Sequence, residues 1–313
     1  MAINLHHLRL FTAVVRHGGF TKAAAQLNLS QPAISKSLNE LERQLGLNLL
    51  DRTGRSIRLT DAGRTLYARG SEIFGVERTA EQELRELRGL KRGTLRIAAS
   101  TTIATYMLPA YLGRFHTRHP RVRIQATSAN TRTVVRLLLE FRVDIALVEG
   151  PVTNNRVVTQ PWHDDELVVI APPDHPLRSG SGVTPSMLGP EAFLVREPGS
   201  GTRAVTEQAL ARHGVRLTNT MRVGGTEAIK QAVAAGLGLA IVSRAAATDQ
   251  LALGRIAILP VDGFAIHRTL AQIKLLGRPS TASARELEAL LAEPGDARAG
   301  DAPGSARQLP AST

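Results

Sequence analysis

The chain has 313 residues, 43% hydrophobic, 21% charged and 4% aromatic, which is enough apolar material for packed cores and excludes wholesale disorder. At roughly 150 residues per domain it divides into two or three domains. Its 39 Lys and Arg against 27 Asp and Glu leave a net charge of +12, favouring anionic partners such as nucleic acid. The absence of cysteine excludes disulfides, thiolate nucleophiles, zinc-finger chemistry and iron–sulfur ligation, and favours a reducing compartment.

The first twenty residues are interrupted by His6, His7, Arg9, Arg16 and His17 and so lack the apolar core of a signal peptide. Leu8, Phe11, Val14 and Val15 recur there at helical spacing, and Gly18-Gly19 offers a left-handed exit. A second helix follows, with Thr21 as its expected N-cap and Ala23, Ala24, Ala25 and Leu27 as small packing residues. Asn28-Leu29 turns the chain, and Ser30 caps a third helix whose first turn accepts Pro32. Ile34, Leu38, Leu41 and Leu45 form its apolar stripe. Gln31, Ser35, Lys36 and Asn39 lie on the other side and can bond base edges or phosphates.

Two short helices with alanines at their crossing suit a helix-turn-helix that enters a major groove, although an ordinary three-helix core with a solvated polar face has the same pattern. The turn-bearing stretch from Asp51 to Arg58, with Arg52, Arg55 and Arg58 at every third position, suits a wing on the DNA backbone or minor groove. Residues 1–58 carry eight basic and three acidic side chains.

Thr60 and Asp61 then cap a proline-free stretch rich in Ala, Leu, Glu and Arg that reads as one long helix to about Gly89. Leu66, Ile73, Ala80 and Leu87 repeat every seven residues, broadened by Ala62, Val76 and Leu84. That seam either packs on its own domain or pairs two chains; pairing with two-fold symmetry predicts an inverted-repeat DNA site.

Beyond Lys91-Arg92-Gly93 short β-rich runs alternate with amphipathic segments, the pattern of an α/β domain with parallel strands. Expected strands at Leu95 to Ala99, Val122 to Thr127 and Val143 to Val148 end at Ser100-Thr101-Thr102, at Asn130-Thr131 and at Glu149-Gly150, which form one rim where a ligand can sit. A strand at Phe193 to Val195 leads into Arg196-Glu197-Pro198-Gly199-Ser200-Gly201-Thr202-Arg203, a loop suited to a negative group. Its loose dinucleotide-like pattern lacks the preceding βαβ start and a downstream ribose-binding acid. His163-Asp164-Asp165-Glu166 and the His116/His119 pair lack a complete metal constellation and read as hinge and surface residues. No serine-hydrolase elbow, P-loop or zinc-protease motif occurs, so no enzyme, metal or cofactor is expected. The longest apolar run, Ala232 to Val242, is broken by Gly236 and Gly238 and is too short to span a bilayer, so a soluble cytoplasmic protein is expected. The tail 293–313, rich in Ala, Gly, Pro, Ser and Asp, is expected to be disordered.

Leu8 to Phe11, Gly19-Phe20-Thr21 with Ala23-Ala24, Leu29-Ser30-Gln31-Pro32-Ala33-Ile34-Ser35, Leu41-Glu42 with Leu45-Gly46, Arg52 and Leu59-Thr60-Asp61-Ala62-Gly63 together resemble the LysR-type transcriptional regulators of bacteria. Ala171-Pro172-Pro173-Asp174-His175-Pro176-Leu177, the Gly-Ser-Gly-Thr-Arg loop and Ala234-Ala235-Gly236-Leu237-Gly238 extend the resemblance to about residue 292. It implies a winged helix-turn-helix over 1–59, a linker helix over 60–90 and a periplasmic-binding-protein-like α/β effector domain over 93–292. Subdomain I of that domain would cover about 93–161 and 266–292, and subdomain II about 162–265. Gln31, Pro32, Ser35 and Lys36 would then face the major groove and Arg52 and Arg55 the wing, with Thr21 beside them. Lys36 stands where arginine is common, and Leu50 where phenylalanine is common.

Ser100, Thr101, Thr102, Asn130, Thr131, Glu149, Arg196, Ser200, Thr202 and Arg203 would meet a small, anionic effector. The Ala-Ala-Ser strand end with the Arg-Glu-Pro-Gly-Ser-Gly-Thr-Arg loop resembles the branch regulating carbon fixation and sulfur assimilation. The resemblance also implies a homodimer that assembles to a tetramer on DNA. The alternative is a cytosolic solute-binding or catalytic α/β protein with a basic interaction module.

Overall fold

The computed structural model describes residues 2–51, 57–87, 93–180 and 182–293, with the side chains of 82 and 85–87 excepted. Three helices open the chain: α1 (Leu5–His17), α2 (Phe20–Leu27) and α3 (Gln31–Leu45). Each end has a local chemical cause. Asn4 accepts from the His6 amide, Gly18 closes α1 at φ 71°, Asn28 turns at φ 54°, and the Ser30 hydroxyl accepts from the Ala33 amide at 3.3 Å. The second helix begins two residues earlier than the sequence suggests. Gly19 is its N-cap and Thr21 lies in its first turn, because the chain leaving Gly18 enters helical geometry at Phe20 without a side-chain cap. Leu8, Phe11, Val14, Ala23, Ile34, Leu38 and Leu41 fill the head's core.

A two-stranded ribbon, β1 (Leu50–Asp51) with β2 (Arg58–Leu59), follows. The Glu42 carboxylate fixes its base by accepting from the Leu49 and Leu50 amides at 2.7 and 3.2 Å. Glu42→Ala leaves both donors without this partner and is expected to cost about 1–3 kcal/mol, read as a lower midpoint for loss of the head's helical signal in denaturant. Thr60 donates to the Asn48 carbonyl at 2.6 Å and accepts from the Gly63 amide at 3.0 Å, tying the ribbon to α4 (Asp61–Leu87). Any side chain at Gly63 would lie 2.0 Å from the Leu49 oxygen, which explains the glycine in the Leu-Thr-Asp-Ala-Gly run.

The apolar stripe of α4 divides between two environments. Ala62, Leu66 and Phe74 pack on the head, whereas Ile73, Val76 (64% exposed), Ala80 and Leu84 (62%) face outward. Periodicity reports which residues share a face, not what covers it; here the first two turns of the expected seam belong to the same chain's head. Phe141 packs against Gly75 of α4 and so brings the following domain onto the helix.

That domain is a nine-stranded sheet with two lobes. In the first, β3 (Thr94–Ser100) pairs in parallel with β4 (Arg123–Ala129) and β5 (Ile145–Val148), and α5 (Leu108–Arg118) and α6 (Thr131–Leu139) cover it. In the second, β7 (Ala192–Val195) pairs in parallel with β8 (Asn219–Arg222) and β9 (Leu239–Ser243), with α7 (Gly201–Arg212), α8 (Thr226–Ala234) and α9 (Arg244–Ala252) around them. The strand β10 (Ala257–Ile258) pairs with the far end of β6 (Val157–Ala171). Two strands run through both lobes: β6 and, antiparallel to it, β11 (Ile266–Leu275). Their register slips where His163 faces Leu270 but Pro161 faces Ala271, so Trp162 is the extra residue of a bulge. Its ring meets Tyr111 of α5 edge-on at 5.5 Å. A final helix, α10 (Ala282–Ala292), returns to the first lobe.

Among the described residues no helix is long and apolar enough to cross a membrane, and no metal-ligand cluster is present. Arg52, Arg55 and the tail from residue 294 lie outside the described residues.

Candidate functional site

Two separate sites emerge. On the head, Gln31, Pro32, Lys36 and Asn39 are exposed on the leading face of α3 and Ser35 is half-buried, opposite the buried Ile34, Leu38 and Leu41. With His7, Ser37, Glu40 and Arg43 these residues line a shallow groove. Arg43 bonds Glu40 twice, at 2.9 and 2.6 Å, and this hydrogen bonding holds the Glu40 carboxyl below its ordinary range. Thr21 is exposed one helix away. The face therefore offers amide, hydroxyl and ammonium donors to the outside.

The second site lies between the lobes. Ser100, at the end of β3 rather than in the loop after it, is fully buried, as is Thr102, and neither hydroxyl has a hydrogen-bond partner among the described residues. The chain then makes a π-helical turn, Ile103–Met107, before Pro109 in the first turn of α5. Asn130 and Ser200 are engaged in capping, accepting from the Thr133 and Arg203 amides. The Thr131 hydroxyl donates to the Glu149 carbonyl at 2.8 Å. Gly201 of α7 packs against that same carbonyl, so close that a Cβ there would stand 1.7 Å from the oxygen.

At the N-terminus of α7 the Thr202 hydroxyl donates to Glu149 Oε1 at 3.0 Å and accepts from Arg268 Nη1 at 2.9 Å. Arg268 Nη2 lies 2.8 Å from Glu149 Oε2 and 2.7 Å from Asp165 Oδ2, approaching off the N–H direction, so these are ion pairs rather than aligned hydrogen bonds. Arg268 Nε donates to Asp165 Oδ2 at 2.8 Å, and Ser243 donates to Asp165 Oδ1 at 2.7 Å. Arg268, Asp165 and Glu149 are all almost completely buried.

Arg196, also buried, bridges the lobes at the other rim: Nη2 donates to Thr101 at 3.2 Å and Nη1 to Thr226 at 2.8 Å, while two bonds reach Glu197. Burial pushes the Glu197 carboxyl up, but the bonds from Arg196 and the backbone outweigh it and hold it below the ordinary range. Arg203 donates to Glu207 and to the Arg196 carbonyl. Beyond these contacts a cleft of about 520 Å³ is lined by Thr131, Arg132, Ser200 and Arg203 among others.

A further clasp joins Tyr106, in the π-helical turn, to α8. Its hydroxyl donates to Glu227 Oε2 at 2.8 Å, and Lys230 Nζ lies 2.9 Å from that oxygen and 4.8 Å from the Tyr106 ring centre. Lys230 holds the Glu227 carboxyl low, and burial together with Glu227 pushes the Tyr106 phenol up.

Of the ten expected effector residues, Thr101 with Arg196 and Glu149 with Thr202 bond across the lobes, and Thr131, Ser200 and Arg203 line the cleft. Ser100 and Thr102 are buried without a partner among the described residues, and Asn130 caps α6. Sequence reading misses Asp165, Thr226 and Arg268 among the bonded groups. In the sequence Asp165 stands among hinge and surface residues. The β6–β11 ladder sets it directly opposite Arg268, where it is buried, while its neighbours His163 and Asp164 stay exposed. Burial here follows from the pairing partner rather than from alternation, since His163 shares its face.

Comparison with known proteins agrees with this layout. Residues 5–64 match the family model for the bacterial regulatory helix-turn-helix protein of the lysR family, and residues 88–294 match the LysR substrate binding domain. A RuBisCO operon transcriptional regulator of Allochromatium vinosum is 38% identical over 268 residues, 86% of this chain and 88% of that protein. The regulatory domain of CcmR from Synechocystis PCC6803, solved in complex with 2-PG, is 32% identical with a TM-score of 0.60, over 64% of this chain and 97% of that one. A full-length OxyR variant from Pseudomonas aeruginosa, at 24% identity and a TM-score of 0.68 over 93% and 94% of the two chains, shares the fold. These relatives set aside the solute-binding or catalytic alternative. The chain belongs to the LysR family: it is a DNA-binding transcriptional regulator with a small-molecule effector domain, not an enzyme.

Proposed function

We propose that α3 reads a major groove through Gln31, Pro32, Ser35 and Lys36, with Thr21, Arg52 and Arg55 contributing flanking contacts, and that a small oxyanion bound between the lobes of residues 93–292 alters how the two heads sit on DNA. The observation that carries the effector half is the convergence of hydroxyl and guanidinium donors on the N-terminus of α7: Thr202, Arg268 and, close by, Thr131. That the related CcmR domain was solved with 2-PG supports this class of ligand. Effector and DNA are energetically coupled, so a ligand that changes DNA affinity has its own affinity changed by the same factor. The protein works in the cytoplasm, where its DNA partner is.

A gel-shift titration against salt on a palindromic promoter fragment tests the DNA half; affinity should fall steeply with salt while a specific margin over random DNA persists. Gln31→Ala and Lys36→Ala are expected to lose about 1–3 kcal/mol on the specific site and little on random DNA. Equal losses on both would place these side chains on phosphate. Melting-temperature screening against small oxyanions tests the effector half.

The outward stripe Ile73, Val76, Ala80 and Leu84 supports pairing of two linker helices, residues 60–90, and hence an inverted-repeat site; pairs of dimers would form the tetramer. Val76→Glu with Leu84→Glu is expected to weaken self-association by at least about tenfold, since two carboxylates would have to be buried, as read by sedimentation. An unchanged assembly would remove the stripe from the interface.

A further inference from the structure

Glu149 has the geometry of a bound anion. Its carboxylate sits at the N-terminus of a twelve-residue helix, accepts from the Thr202 hydroxyl at 3.0 Å and pairs with Arg268 at 2.8 Å, with its side chain 2% exposed. Its backbone is fixed independently, because the Thr131 hydroxyl holds its carbonyl and Gly201 packs on it. Arg268 has a second buried carboxylate, Asp165, at 2.7 Å, so one guanidinium faces two acids before any ligand arrives. An incoming oxyanion cannot simply add to this set: a third negative charge in a desolvated site would be strongly repelled.

We propose that Glu149 is not a wall that contacts the effector but the resident occupant of its anion position, and that the effector's carboxylate or phosphate displaces it from Thr202 and Arg268. This rests on the reading of the interlobe cleft as an anion site. The exchange replaces one oxyanion by another on the same donors, so it selects ligands whose remaining groups supply the net gain, for example hydroxyls that meet the unpartnered Ser100 and Thr102. Simple inorganic anions, which bring the charge and nothing else, are held back. Glu149 is then a specificity residue, and ligand entry is coupled to a change at the strand end that touches α7.

The test compares the full-length chain with Glu149→Gln, Glu149→Asp and Glu149→Ala, using inorganic sulfate and formate as probes in thermal-shift and calorimetric titrations. Sulfate should half-saturate Glu149→Gln at a concentration at least about tenfold below that for the unaltered chain, with Glu149→Asp between them. Formate should stabilise Glu149→Ala saturably, by refilling the vacated position, and leave the unaltered chain unmoved. Thr202→Val in the Glu149→Gln background should abolish the gain.

Sulfate affinities equal across the series, yet sensitive to Thr202→Val, would overturn the role of Glu149 while leaving the cleft as an anion site. No saturable binding of either probe to any variant would overturn both.

Discussion

Arg268→Met is expected to destabilise the effector domain by about 3–5 kcal/mol, because it strips the shared guanidinium from two buried carboxylates while leaving both in place. For a unit of this size that corresponds to a fall in melting temperature of roughly 10 °C. The origin of the loss can be separated by a combined variant. Adding Asp165→Asn and Glu149→Gln to Arg268→Met removes the stranded charges and should recover most of the stability, since neutral replacement of a buried ionic set is often close to neutral overall. A combined variant as unstable as Arg268→Met alone would mean that the arginine acts through shape and packing instead. Arg268→Lys should fall between, because an ammonium cannot serve Asp165, Glu149 and Thr202 together as the planar guanidinium does.

Gly201→Ala is the second large effect expected. Its methyl group would stand 1.7 Å from the Glu149 oxygen, 2.5 Å from the adjoining carbon and 2.7 Å from the Thr131 hydroxyl, and the first two are backbone atoms that cannot rotate aside. Either the first turn of α7 unwinds or the lobes part. Overpacking of this kind costs about 1–3 kcal/mol, and the close approach to backbone places this case at the upper end. The radius of gyration in solution should rise as the lobes separate, and the response of DNA binding to ligand should vanish. Gly113→Ala is the matching control: its added methyl meets nothing within 4 Å, so helix propensity alone makes it neutral or stabilising by up to about 1 kcal/mol. If the two variants melt and scatter alike, the contact between Gly201 and Glu149 does not hold the lobes.

What can be read from the sequence alone is whatever has a short-range chemical cause. Ser30 and Thr60 cap because a hydroxyl three residues ahead of an amide satisfies it, and both do so here. Ile34, Leu38 and Leu41 are buried because their spacing puts them on one face. Thr21 fails as a cap for an equally local reason: the two preceding glycines start the helix before it. The stripe on α4 is visible in the sequence, but its division between the head and the outside is not, since nothing in a heptad says that Leu66 meets the same chain.

The effector site is legible only in part. Thr202 and Glu149 are recognisable as loop residues at strand ends, yet their partner Arg268 lies in a strand whose register against β6 is set by pairings about a hundred residues apart. Asp165 is hidden for the same reason, and Tyr106 with Glu227 likewise. Nothing along the chain links these positions; only closure of the two lobes brings them together.

The bulge between β6 and β11 has one more consequence. The extra residue at that point is Trp162, and it is the single tryptophan of the chain, resting edge-on against Tyr111 of the first lobe. Its indole therefore stands on a strand that runs through both lobes, in contact with the first. Any ligand-driven shift of the lobes that disturbs this contact should change the intrinsic fluorescence of the unlabelled regulator, readable in real time on free protein or on promoter DNA.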